Sequence, residues 1–207
     1  MCKEVRKMVC AMDTQKMENQ LVLQCAPVMV GLKVSNLLQI DHKDLRAFCT
    51  MFKDTELSFF ALHTGVSKST ILLYQRDKLM DCLENSEIRD FLAQRGYEDL
   101  SLYHVLHELR IRYGNYFRDK QEGKEDLEFP HEMGLILGYP LEDVVGFMEN
   151  KGKNALLTGY WKVYHRSWEK EALFQKFEQA KETLIRLMNL GVELPEILNI
   201  YCNAMSA

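Results

Sequence analysis

"ELSFFALHTGVSKSTILLYQ", residues 56–75, decides the fold: two apolar runs rich in aromatic and β-branched residues flank a short turn containing Gly65, Ser67, Lys68 and Ser69. Runs of this kind, bounded by turn residues, read as the two strands of an antiparallel hairpin. The letters "GVSKST" (65–70) also resemble the end of a phosphate-binding loop. That motif needs glycine immediately before its lysine, where Ser67 stands, and it feeds a helix, whereas "TILLYQ" is strand-like.

Upstream, "LVLQCAPVMVGLKVSNLLQI" (21–40) is apolar and β-branched with Pro27 and Gly31, which predicts strand or extended backbone. "DHKDLRAFCTMFKD" (41–54) follows as a helix, with Asp41 as its cap and Leu45, Phe48, Cys49 and Phe52 at helical spacing. Downstream come two short helices, 76–85 and 86–96, the second capped by Ser86 and stopped by Gly96. In "SLYHVLHELRIRYGNYF" (101–117), Leu102, Val105, Leu106, Leu109, Tyr113 and Tyr116 share one helical face, with His104, His107 and Glu108 opposite. Residues 167–191 form a long helix with Leu173, Phe177, Ala180, Leu184 and Leu187 as its apolar stripe, and Pro195 opens a last one.

Strands early, helices late and no regular βαβ alternation predict an α+β fold. The expected sheet, antiparallel or mixed, comes from 22–40, 56–64, 69–75 and 156–164, packed by helices that include 101–117 and 168–189, with a helical C-terminal half. Residues 1–20 are expected as an N-terminal arm or helix, and 21–207 as a single domain.

Composition narrows the function classes. The 207 residues are 47% hydrophobic and 27% charged with net charge −4, so the molecule as a whole has no electrostatic pull toward nucleic acid or anionic membrane. Six cysteines lie scattered without a C-x-x-C pair, and no stretch reads as a signal peptide or membrane span; the expectation is a reduced, cytoplasmic protein with no membrane partner. Met1, Met8, Met12, Met17, Cys2 and Cys10 give the first twenty residues soft-ligand character, but without ligand spacing, so a packing helix is the simpler reading. His104 and His107 supply at most half of a zinc site, with His131, Glu132 and His165 as distant contributors, so no metal site is expected.

"FPHEMGLILGYPLEDVVGFMENKGKN" (129–154) has the punctuation of a helix-turn-helix: Pro130, Gly138, Pro140 and Gly152 set two short helices and a tight turn. Its second helix carries Glu142, Asp143 and Glu149 and no Lys or Arg, which is wrong for reading base edges beside phosphates, so no specific DNA binding is expected. The segment behind it reverses the sign. Between 150 and 170, Lys151, Lys153, Lys162, Arg166 and Lys170 face one Glu, interleaved with Tyr160, Trp161 and Tyr164. Two functional readings follow. In one, Lys33, Lys151, Lys153, Trp161, Lys162 and Tyr164 hold the anionic group of a small molecule or cofactor of unspecified identity, beside the "HEMG" corner. In the other, Cys25 is a nucleophile with His131 as base and Glu132 as its orienter. The first needs only positive charge and aromatics in a concave place and is preferred. Oligomeric state is not set by any of these features.

The blocks "CAPVMVGLKVSNL", "STILLYQRDKLMDCLENSEIRDFLAQRGY", "FPHEMGLILGYPLEDVVGFMENKGKN" and "GYWKVY" resemble a bacterial family of uncharacterised proteins, a domain of unknown function common in anaerobic Firmicutes, over roughly residues 20–182. The resemblance implies no substrate or catalytic residues. Relatives lie near iron-uptake and flavodoxin genes, which implies an accessory or regulatory role linked to iron or redox metabolism. Family members often carry His where Gln24 stands here, which weakens any His-assisted role for Cys25.

Overall fold

A computed structural model describes residues 2–125 and 127–205. The 56–75 segment forms the expected hairpin, β2 (Leu57–Thr64) and β3 (Lys68–Gln75), and β1 (Ser35–Asp41) adds to the far side of β3 to give an antiparallel sheet of order β1-β3-β2. Ser35 pairs with Tyr74 and Asp41 with Lys68 across β1 and β3, and a bulge between Ala61 and His63 interrupts the β2 ladder. Alternation then divides β3 cleanly: Ile71 and Leu73 enter one core, Leu72 and Tyr74 the other. A central strand buried on both faces reads as the continuous apolar run "TILLY".

On the first face pack α1 (Lys3–Ala11), α2 (Met17–Met29), α3 (Leu45–Phe52), α9 (Ser167–Asn189) and α10 (Leu194–Met205). On the second lie α4 (Arg76–Glu84), α5 (Ser86–Gln94), α6 (Leu102–Gln121), α7 (Met133–Ile136) and α8 (Leu141–Glu149). The protein is therefore α+β, a small antiparallel sheet between two helical layers. The α6 stripe behaves as its spacing predicts, with Val105, Leu106, Leu109 and Tyr113 buried. Each such leucine contributes roughly 1.5–3 kcal/mol by leaving water.

Three expectations need correction. Residues 17–29 are helix α2, not strand, although Pro27 lies inside it. The helix is inserted between the sheet and α9, so Leu21, Val22, Cys25, Ala26, Val28 and Met29 are all buried and no polar face marks a 3.6-residue period. With Gln24 as its one exposed residue, so apolar a run cannot be told from a strand by periodicity. The 156–164 segment does not join the sheet; it makes its own hairpin from β4 (Leu157–Thr158) and β5 (Lys162–Val163). The α5 cap is Asn85, whose Oδ1 accepts from the Glu87 and Ile88 amides at 2.9 and 3.2 Å, rather than Ser86.

The β4–β5 hairpin rests on the first half of α9 through a small aromatic core of Trp161, Val163, Phe174 and Phe177. Gly159 permits this approach, since a Cβ there would lie 2.4 Å from the Phe174 ring. Tyr139 touches both this cluster and the larger α4–α8 core, so the two meet at the corner between α7 and α8.

Candidate functional site

That corner is built by close approach. A Cβ on Gly134 would fall 2.8 Å from Val144 Cγ2, so α7 and α8 reach their spacing only because position 134 has no side chain. Gly138 ends α7 at φ +77°, and the Tyr139 amide donates to Gly134 O at 2.8 Å to close the turn. Pro140 caps the start of α8. In its first turn Asp143, 1% exposed, accepts from Trp161 Nε1 at 2.8 Å and from the backbone amides of Tyr164 and His165 at 2.7 and 3.1 Å. One carboxylate thus pins the hairpin to α8. Gly146 completes the joint, its missing Cβ making room for Tyr164, which would stand 2.6 Å away.

Between corner and hairpin lies a cavity of about 360 Å³. Its wall is almost wholly apolar, with Leu37 of β1, Phe129, Tyr139, Phe147 and Trp161 among the residues that line it. Tyr139 stacks on Trp161 with centroids 4.9 Å apart and planes at 24°. Besides Tyr139, three ionisable residues line it, His131, Asp143 and Lys162. The carboxylate of Asp143 is occupied by its three donors. The His131 ring sits between Phe129 and Phe147, at 5.9 and 5.4 Å between centroids, and makes no hydrogen bond among the described residues. Lys162 Nζ donates to Gly152 O at 2.6 Å and lies 5.9 Å from the Phe147 centroid, leaving two N–H donors. Phe147 is therefore flanked by an imidazole and an ammonium.

Of the expected ligand-binding residues, the structure brings Trp161 and Lys162 to this cavity, together with His131 of the "HEMG" corner. Lys151 and Lys153 are exposed on the loop after α8, outside it. Tyr164 packs behind α8, its hydroxyl oxygen enclosed and without a hydrogen-bond partner among the described residues. Lys33 is a buried cation, 5% exposed, donating to Ser35 O and Asn36 Oδ1 at 2.8 and 2.7 Å, with its Nζ 5.5 Å from the Tyr139 ring centroid. No carboxylate pairs with it among the described residues, and burial pulls its pKa down to about 8.

The alternative trio is not gathered. Cys25 is enclosed in the α2 core, where burial pushes its thiol up to about 12, against the smaller opposing influences of Lys33 and Asn36. A thiol so held is not a thiolate nucleophile near neutral pH. His131 faces the cavity on the other side of the sheet. Glu132 turns away from it: its Oε1 accepts from Tyr97 OH at 3.0 Å and Arg112 Nη1 at 3.2 Å, in a buried network that Arg112 extends to Arg95 O and Glu108. His104 lies at the surface against Asp99 and Ser101, and His107 against Tyr103. The N-terminal methionines Met8, Met12 and Met17 line, with Met188, a wide open groove of about 1070 Å³ between α1, α3 and the α9–α10 turn, where the thioethers pack on the core. Cys2 and Cys10 are exposed and do not line that groove.

Sequence reasoning missed Leu37, Phe129, Tyr139 and Phe147 as cavity walls and Asp143 as an anchor. The available signal was the aromatic spacing in "FPHEMGLILGYPLEDVVGF".

The family described as "Protein of unknown function (DUF3793)" matches residues 21–198. The chain belongs to the DUF3793 family. The match runs from α2 into α10 and so includes every element that forms the cavity. No curated protein and no solved structure matches this DUF3793 chain. No helix among the described residues is long and apolar enough to cross a membrane.

Lys33 offers a test of the burial on which this geometry rests. Its ammonium is disfavoured in the fold, so from about pH 8 toward the ordinary 10.5 the unfolded chain holds the extra proton and stability rises with pH. The contribution is about 1 kcal/mol between pH 7 and 9. Cys25, with its pKa raised from 9.0, acts oppositely as pH rises above 9. Subtracting the denaturation profile of Lys33→Met from that of the wild type isolates the lysine; a flat difference between pH 7 and 9 would contradict its buried, charged state.

Proposed function

We propose that the cavity between the α7–α8 corner and the β4–β5 hairpin binds a small anionic molecule or cofactor, giving the protein an accessory, ligand-responsive role. The observation that carries this reading is the pairing of His131 and Lys162 around Phe147 in an otherwise apolar hollow. Apolar cavities with a few convergent polar groups are the usual form of small-molecule sites. The ammonium supplies charge, the imidazole a directional hydrogen bond, and the aromatic wall most of the contact area.

A thermal-shift screen of anionic metabolite-like compounds tests it. A ligand at 100 times its Kd adds about 2.7 kcal/mol, which for a chain of this size raises Tm by about 5–11 °C. Lys162→Met keeps the aliphatic stem over Phe147 and removes the charge, and is expected to weaken that ligand at least about tenfold, or about 1.4 kcal/mol. Its own Tm should stay within about 2 °C, since an exposed lysine contributes little to folding. Lys153→Ala, outside the cavity, should bind as the wild type does. Equal binding by wild type and Lys162→Met would overturn the reading.

A further inference from the structure

Resting on that reading, we infer that the ligand is a compact planar aromatic acid of one or two fused rings bearing a single carboxylate, and that nucleotides, flavins and haem, whose bulk would lie outside the cavity, bind more weakly. Volume sets the first limit. An apolar cavity of about 150 Å³ accepts one benzene, and ligand pockets span about 300–1,000 Å³; at about 360 Å³, and open to solvent on one side, this one encloses a small ring system with a substituent, whereas the sugar and phosphate of a nucleotide would lie outside it. Shape sets the second. Tyr139 and Trp161 form one near-parallel stack, and Phe129, His131 and Phe147 form a second line of rings. Walls of aromatic faces and edges favour offset or edge-to-face contact with another flat ring.

Charge sets the third. Among the described residues Asp143 is the one acidic residue on the wall, and Trp161 Nε1 and two backbone amides consume it, which leaves Lys162 as the cation and His131 as an uncommitted polar group. Both neighbour Phe147, and with one ammonium between them they serve one acid group rather than two separate anions. No arginine fork lines the cavity, and a phosphate, with its three acceptor oxygens, would be left under-donated. One ammonium and one imidazole suit a carboxylate.

Calorimetric titration of the full chain with 2-naphthoate, its isosteric amide 2-naphthamide, benzoate, AMP and FMN tests this. The expected order is 2-naphthoate tightest, benzoate weaker, and the amide at least about tenfold weaker than its acid, with AMP and FMN weaker than 2-naphthoate. In Lys162→Met the acid and the amide should bind alike. Leu37→Trp, which fills the cavity from β1, should abolish binding of 2-naphthoate, with folding checked by circular dichroism; if it does not fold, the Lys162→Met comparison decides alone. Tighter binding of AMP or FMN than of 2-naphthoate, an amide as tight as the acid in the wild type, or no binding by either aromatic acid overturns the aromatic-acid assignment. The cavity reading survives that failure if another anion from the screen loses its affinity in Lys162→Met. It falls too if 2-naphthoate binds folded Leu37→Trp and Lys162→Met as tightly as it binds the wild type.

Discussion

Asp143→Ala is expected to lower Tm by about 10 °C, corresponding to about 3–5 kcal/mol in a chain of this length. The carboxylate is 1% exposed and satisfies three donors at once, Trp161 Nε1 and the amides of Tyr164 and His165. Hydrogen bonds to a charged acceptor contribute about 1.5–3 kcal/mol each, and buried donors left without a partner carry their full desolvation cost. Water reaching into the gap moderates the sum. Because the lost bonds join the hairpin to α8, the near-ultraviolet circular dichroism of Trp161 should weaken even where helix content is unchanged. Asp143→Asn is expected to recover only part of the stability, its amide offering one acceptor oxygen where the carboxylate offers two. A Tm within about 2 °C of the wild type for Asp143→Ala would mean that the hairpin is held by the Trp161–Phe174 contacts alone.

Glu132→Ala is the second large effect, with an expected cost of about 2–3 kcal/mol. Tyr97 OH is buried and loses the partner that it donates to, while Arg112 keeps Glu108 and Arg95 O and is partly solvated. The guanidinium also stays over the Tyr97 ring, 4.3 Å from its centroid, so the site loosens rather than collapses. Glu132→Gln keeps an acceptor and should cost less than half as much. If Glu132 acts by orienting His131 instead, Glu132→Gln would leave stability intact and change ligand affinity strongly; chemical denaturation and calorimetry on the same two variants separate these outcomes.

Legibility in the sequence tracked how local the physical cause was. The β2–β3 hairpin and α6 were readable because alternation and helical spacing report a buried face within a few residues. Helix α2 was not, because its environment is set by α9 and α10, more than a hundred residues away, and they cover the side that would otherwise be polar. The "FPHE…GYPLEDV" segment showed its glycines and prolines plainly, and those punctuate the α7–α8 corner as expected, but Gly134 and Gly146 serve contacts with Val144 and Tyr164 that spacing cannot express. The site was half visible for the same reason. Lys162 and Trp161 stood out as a basic, aromatic stretch, whereas Lys33, expected among the groups that hold the anion, is buried beside Tyr139, and Asp143 counted only as charge against DNA when its work is to fasten the hairpin. Cys25 neighbours the exposed Gln24, yet it lies on the side of α2 that the core encloses and is a buried thiol.

The chain has two tryptophans, and Trp168 is 73% exposed at the start of α9, so Trp168→Phe should fold normally and leave Trp161 as the sole indole reporter on the cavity wall. Titrating that variant with the anionic compound that most raises Tm, and following Trp161 emission, tests directly whether binding occurs in the cavity that His131 and Lys162 line. The account predicts a saturable change in emission whose midpoint equals the calorimetric Kd and which moves to at least about tenfold higher concentration in Trp168→Phe/Lys162→Met. A compound that raises Tm and gives calorimetric heat while Trp161 emission stays constant, and whose affinity is the same with and without the Lys162 charge, would place its site elsewhere and contradict the account.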